Sequence, residues 1–212
     1  GKPILRDLDL RIDQDDRIAL LGANGNGKST FAKLLSDRLR VETGHCYKSK
    51  KLRVAYIAQH QLDELKPKMS PYDHFRELMP DATQAQVRAR AGFYGFGAEK
   101  ADTLVENLSG GEKTRLLFAV ATFDKPHLLI LDEPTNHLDI DSREALVMAV
   151  NEYEGAVILI SHDPHLVETC ADRLWIVAEG GVSRWEEDIE AYKRWLLDRN
   201  RRSGARKNNV DE

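Results

Sequence analysis

The stretch Ile18-Ala19-Leu20-Leu21-Gly22-Ala23-Asn24-Gly25-Asn26-Gly27-Lys28-Ser29-Thr30 drives an apolar strand straight into a glycine-rich loop and then into a helix. Gly22, Gly27, Lys28 and Ser29 meet the spacing G-x-x-x-x-G-K-[ST] of a phosphate-binding loop. Glycines let the backbone curl so that successive N–H groups point inward, and the helix that follows adds its own unpaired N–H groups and positive dipole end. Gly22, Ala23, Asn24, Gly25, Asn26, Gly27, Lys28, Ser29 and Thr30 are therefore the candidate nucleotide-binding residues, with Lys28 reaching the β- and γ-phosphates and Ser29 ligating Mg²⁺. A ligand-free glycine turn is the competing reading. It has no use for a lysine and a hydroxyl placed after the last glycine.

Around this stretch, 212 residues suffice for one sizeable core, or one core with a small subdomain. Hydrophobic residues make up 42% and charged residues 31%, an ordinary soluble composition. The formal net charge of −4, from 31 basic and 35 acidic residues, gives no support for global attraction to nucleic acid or membranes. Cys46 and Cys170 have no ligand spacing and read as small, semi-buried residues in a reducing compartment. No run of 18 apolar residues and no signal-peptide pattern is present, so a cytoplasmic protein without membrane insertion is expected. A chain that starts at Gly1 without Met also reads as a piece of a longer protein.

In chain order, Ile4 to Ile12 alternates as a half-exposed antiparallel strand would, with Leu8, Leu10 and Ile12 on one face. The helix after the loop is expected over Lys28 to Leu39. Gly44 to Lys51 reads as a hairpin or loop whose Lys48, Lys50 and Lys51 are either solvated or an RNA contact. A strand over Arg53 to Ala58 ends at Gln59. Helical pieces are expected near Pro71 to Leu78 and over Thr83 to Ala91, the second capped by Thr83, in a small insertion of about residues 62–108. Phe93, Tyr94 and Phe96 within it read as internal packing or as a partner surface.

Farther on, Ser109 stands before Gly110, Gly111 and Glu112 at the start of a helix, either as a plain N-cap with a capping box or as an anion ligand. His127 to Leu131 is an apolar run that suggests a central parallel strand, and it ends in Asp132-Glu133. Asp141 with Glu144 suggests a capping box for a helix over Ser142 to Tyr153. Ala156 to Ile160 is another apolar strand, ending at Ser161-His162. A short helix over Asp163 to Ala171, a hairpin through Gly180-Gly181 and a last helix striped by Ile189, Tyr192, Trp195 and Leu196 complete the ordered part. Residues 199–212 are polar, without periodicity, and read as a disordered tail or linker.

Phosphoanhydride hydrolysis needs charge neutralisation, a coordinated divalent ion and a water aligned for in-line attack. Lys28, Ser29 and the loop amides meet the first need and part of the second. Asp132 fits the Mg²⁺ holder, Glu133 the residue that polarises water, Gln59 a bridge between Mg²⁺ and that water, and His162 a contact to the γ-phosphate that also orients Glu133. Lys28, Gln59, Glu133 and His162 are the candidate catalytic residues; Ser29, Gln59 and Asp132 are the candidate metal ligands.

With these landmarks in order, residues 1–198 resemble the ATP-binding cassette (ABC) superfamily. Gly22 to Thr30 resembles its Walker A loop, Gln59 its Q-loop, Leu108 to Glu112 its signature motif, Leu128 to Asp132 its Walker B strand, Asp139 its D-loop and His162 its switch histidine. The resemblance implies a P-loop nucleoside triphosphatase of α/β class: a central, mostly parallel sheet with an antiparallel β subdomain and a small inserted helical subdomain. It also implies that Ser109, Gly110 and Gly111 serve the nucleotide of an opposing cassette. Glu133 to Asp139 and the brief Gln59-to-Leu108 insertion look most like the ABC-F group, two-cassette proteins associated with the ribosome and translation. Leu108 to Leu117 and the ending near Tyr192 resemble the second cassette of the YheS or Uup type.

Two departures accompany the resemblance: the aromatic on which the family stacks adenine is not evident before Gly22, and the interdomain linker is absent. The implied function is an ATPase using ATP and Mg²⁺, weak as an isolated domain. It would act through closure against a second cassette, in the full-length chain or a homodimer, with ribosome or rRNA as partner. A transporter ATPase subunit and a nucleotide-binding switch with negligible hydrolysis are the alternatives.

Overall fold

The computed structural model describes residues 3–58, 65–136 and 138–195. Six strands form one sheet among these residues: β1 (Arg17–Leu21), β2 (Val54–Ala58), β3 (Leu128–Asp132), β4 (Ala156–Ile160), β5 (Arg173–Ala178) and β6 (Gly181–Trp185), in the order β2-β3-β4-β1-β5-β6. All neighbours pair in parallel except β5 and β6, which form the antiparallel hairpin through Gly180. The helices are α1 (Lys28–Leu35), α2 (Pro71–Leu78), α3 (Gln84–Phe93), α4 (Ala98–Ala101), α5 (Gly110–Ala121), α6 (Ile140–Glu152), α7 (Pro164–Cys170) and α8, residues 189–195.

The central strands read as unbroken apolar runs because the sheet is covered on both faces. Ala19, Leu21, Leu129, Leu131, Val157 and Leu159 face one core, shared with Leu146 and Val150 of α6, Leu166 and Val167 of α7, and Tyr192 of α8. Ile18, Leu20, Leu128, Ile130, Ile158 and Ile160 face the other, with Phe31 and Ala32 of α1. The adjacent strands β1 and β4 thus send their helices to opposite faces. That makes a switch point at their carboxyl ends, where an open α/β sheet has its crevice.

A third core gathers Phe75, Val87, Ala91, Phe96 and Ala101 from the α2–α4 region with Leu116 and Ala119 of α5. Sharp caps delimit these helices: Ser70 with Asp73 and Thr83 with Gln86 each form a capping box. The aromatic trio is divided. Phe96 is buried, Tyr94 stacks on Phe75, and Phe93 is exposed. Phe75 is fully buried at the centre of this core, so Phe75→Ala is expected to cost roughly 3–5 kcal/mol in a denaturant melt. A loss under about 1 kcal/mol would mean that the core is not packed as described.

Several local expectations are corrected. Residues 4–12 form no strand: Leu5, Leu8, Leu10 and Ile12 do turn toward the second core, but Asp7 takes a left-handed φ of 53°. The alternation therefore reflects burial against a sheet face, not a ladder, and the antiparallel portion of the sheet lies at β5–β6. Helix α1 stops at Leu35 rather than Leu39, with Asp37 left-handed at φ 58°. Lys48 Nζ donates to the last-turn carbonyls of Leu34 (3.0 Å) and Leu35 (2.9 Å) and to Asp37 (2.6 Å). It is thus a cap for α1, while Lys50 and Lys51 stay exposed. Asp139, not Asp141, caps α6, its Oδ1 accepting from Ser142 N–H at 2.8 Å. Cys170 is buried but Cys46 is exposed, and both are free thiols.

Candidate active site

The parallel strands deliver their ends to one edge, and the sequence after each end carries the chemistry. β1 runs into Gly22, whose φ of 143° is reserved for glycine; an added Cβ would also collide with the Val177 carbonyl oxygen on β5. Gly25 and Gly27 are likewise at positive φ, 81° and 101°. Gly27 supplies no side-chain cap to α1 and no acid stands in its first turn, whereas α2, α3, α5, α6 and α7 all have side-chain caps. The first-turn N–H groups of α1 suit an anion. Ser29 in that turn is exposed and Thr30 half-buried.

Lys28 is buried, and its Nζ donates to the Gly22 carbonyl at 2.6 Å and the Ala23 carbonyl at 3.3 Å. Burial pushes its pKa below the ordinary lysine value, while the charges of Glu133 and Asp132 pull it back up. A buried ammonium held by carbonyl oxygens next to an open helix N-terminus matches the charge of a phosphate. The residues fit a bound nucleoside triphosphate.

Asp132 ends β3 on the face of Leu128 and Ile130, the face that carries α1. Its Oδ2 accepts from the Tyr56 hydroxyl at 2.6 Å, and the Arg38 guanidinium lies 4.3 Å from the centre of the Tyr56 ring. Burial and the Asp132 hydrogen bond both raise the Tyr56 pKa, so the phenol stays a donor. Tyr56 leaves one carboxylate oxygen of Asp132 for other ligands. A carboxylate oriented in this way beside the Ser29 turn fits a hard divalent cation such as Mg²⁺.

Glu133 takes a left-handed φ of 52°, and its N–H donates to the Ile160 carbonyl of β4 at 2.8 Å. Such a conformation is uncommon outside glycine and concentrates at functional sites. The carboxylate lies 3.3 Å from His162 Nε2, which is also 3.1 Å from Asn24 Oδ1. A proton on Nε2 serves both acceptors, so the histidine bridges the phosphate loop and the acid across the β1–β4 crevice. Burial raises the Glu133 carboxyl above the usual carboxylate range, with His162 and Lys28 partly offsetting it.

The structure thus brings Asn24, Lys28, Asp132, Glu133 and His162 together. Gln59 lies outside the described residues. Ser109 is placed elsewhere, exposed at the N-terminus of α5, in a capping box in which it accepts from Glu112 N–H at 3.2 Å while Glu112 accepts from Ser109 N–H at 2.9 Å. Lys100 and these Ser109 bonds hold the Glu112 carboxyl below its ordinary value. Gly110 and Gly111 have a steric reason of their own. A Cβ at Gly110 would lie 2.5 Å from Ser142 Oγ, and one at Gly111 3.3 Å from the Asp141 carbonyl, because α6 crosses there.

Residues 5–136 match the family described as ABC transporter. The chain belongs to that family. The "Probable ATP-binding protein YheS" of Haemophilus influenzae is 41% identical over 197 residues, 93% of this cassette and 31% of that protein. "ABC transporter F family member 3" of Arabidopsis thaliana is 40% identical over 197 residues, 92% of the cassette and 28% of its own length. "ABC transporter F family member 4" of Dictyostelium discoideum is 41% identical over 183 residues, 86% and 16% respectively. The chain therefore spans less than a third of the length of these curated relatives. It is an ABC-F-like cassette. Among its described residues no helix is long and apolar enough to cross a membrane.

Two contributors to this site escape a reading of the sequence. Tyr56 reaches Asp132 only because β2 and β3 pair with Ala58 opposite Asp132, which sets residue 56 on the same face two positions back. Tyr192 Oη accepts from Gly22 N–H at 2.9 Å. The sequence shows Tyr192 as part of an apolar stripe, and nothing local says that its hydroxyl meets the phosphate loop.

Proposed function

We propose that the cassette captures ATP on Gly22 to Thr30 and hydrolyses it in a site completed by Ser109, Gly110 and Gly111 of a second cassette. In this reading Lys28 moves from the Gly22 carbonyl to the β- and γ-phosphates. Glu133, oriented by His162, polarises the attacking water. Ser29, Asp132 and Gln59 would hold Mg²⁺, which would supply neutralisation of the phosphate charge when bound.

The observation that carries the proposal is the exposed Ser109 at the N-terminus of α5, whose described bonds run only to Glu112 and Lys113 of its own helix while the loop's acids and histidine are assembled without it. A hydroxyl and a glycine pair at an exposed helix N-terminus suit the phosphate of a facing nucleotide. Residues 1–198 would form one cassette, with about 62–108 its helical part and 199–212 a linker. The second cassette would come from the longer chain, in second position for this one, or from a homodimer. In the whole protein, closure with ATP would favour binding to the ribosome in the cytoplasm, and hydrolysis would favour release.

Phosphate release as a function of protein concentration tests the completion of the site. An isolated cassette is expected to be slow, with a rate that rises as the square of concentration. A linear rise would mean that one cassette suffices. Cosedimentation of the two-cassette protein with ribosomes, stronger with ATP than without, tests the partner.

A further inference from the structure

Gly22 is gripped at both its amide and its carbonyl. The carbonyl accepts from Lys28 Nζ at 2.6 Å, and the N–H donates in a buried bond to Tyr192 Oη at 2.9 Å. That N–H is the first beyond β1. The β1–β4 register runs only from Arg17↔Val157 to Ala19↔Leu159, and the β1–β5 register ends at Leu21↔Ile176, so both ladders stop before Gly22. A side chain therefore supplies the acceptor that the ladder does not. Tyr192 can do so because α8 is docked: its ring is buried, with Trp185 and Trp195 each 6.0 Å away, and Ile189 and Trp195 pack against the same core.

We propose that Tyr192 is a positioning residue of the phosphate loop, through which the docking of α8 and the capture of nucleotide favour one another. The proposal rests on the reading of Gly22 to Thr30 as the ATP site. Its physical basis is that Gly22 stands where the strand becomes the loop. It cannot accept a Cβ against Val177, so its two hydrogen bonds decide how the loop leaves the sheet. Losing the Tyr192 bond leaves a buried N–H without a partner and loosens the turn that aims the loop amides. Coupling is reciprocal: a docked α8 that favours the phosphate-ready loop must itself be favoured by bound nucleotide.

The test compares the wild-type chain with Tyr192→Phe, which removes the hydroxyl and keeps the ring. ATP affinity and the kcat and KM of hydrolysis are measured, together with hydrogen exchange at Gly22 and residues 189–195, with and without a non-hydrolysable ATP analogue. Tyr192→Phe is expected to weaken ATP binding about three- to tenfold. KM rises by the same factor, kcat stays within twofold, and Gly22 exchanges faster. The analogue slows exchange in residues 189–195 of the wild type and does so much less in the variant. Trp195→Ala, which loosens α8 and leaves the hydroxyl in place, should weaken ATP binding in the same direction. Unchanged ATP affinity in both variants, or equal slowing of residues 189–195 in wild type and Tyr192→Phe, overturns the coupling. A wild-type chain that does not bind ATP removes the reading of the loop itself, a result seen before any variant is compared.

Discussion

Glu133→Gln is expected to lower steady-state ATP hydrolysis by roughly 10²- to 10⁴-fold, the contribution of a positioned general base, while ATP binding is kept. Glutamine preserves the shape and the left-handed backbone of Glu133, with its N–H on the Ile160 carbonyl, and removes only the charge that polarises water. The wild-type pH profile carries a second signature. Burial raises the Glu133 carboxyl above the usual carboxylate range. A base acts ionised, so turnover should be lost as pH falls through that raised pKa, at a higher pH than an ordinary carboxylate gives. The acid limb should vanish from the residual activity of the variant. Single-turnover hydrolysis across pH reads both effects. Wild-type rates in Glu133→Gln would show that another group activates the water.

Lys28→Ala is the second large effect, and it separates function from stability. The buried ammonium is held below its ordinary pKa, so its charge opposes folding at neutral pH instead of supporting it. Worked through, a lysine with a lowered folded pKa binds its proton less well in the native state than in the unfolded chain. The stability it withholds grows as pH falls from the unfolded lysine pKa to the lowered folded one and is complete below the latter. Removing it should leave the Tm of the nucleotide-free protein unchanged or raised. ATP affinity should fall roughly 10- to 150-fold, the range for a lost hydrogen bond to a charged group. Calorimetry with and without ATP reads both quantities. A variant that melts earlier but binds ATP as well as wild type would make Lys28 a structural residue.

Much of this was legible in the sequence, and the legible part has one character: it depends on neighbours along the chain. The strand–loop–helix of Ile18 to Thr30, the apolar runs at β3 and β4, and the Thr83 cap all rest on contacts within a few residues. Errors arose where distant groups intervene. Residues 4–12 alternate because they lie on a sheet face, and α1 ends early where Lys48, 13 residues beyond Leu35, takes its last carbonyls. Phe93 and Phe96 differ by three residues, yet one is exposed and the other buried, since only the third core decides which of them has a pocket.

By itself the sequence determined that a phosphate loop, two strand-end acids and a strand-end histidine exist, because each follows an apolar strand at a spacing set by the backbone. The tertiary structure alone decided which of them meet. The strand order β2-β3-β4-β1-β5-β6 places β4 between β3 and β1, so Glu133 reaches His162 and His162 reaches Asn24. The same order sets Tyr56 beside Asp132, and the docking of α8 sets Tyr192 against Gly22. Strand order is a property of whole faces packing together, and no local pattern of residues carries it.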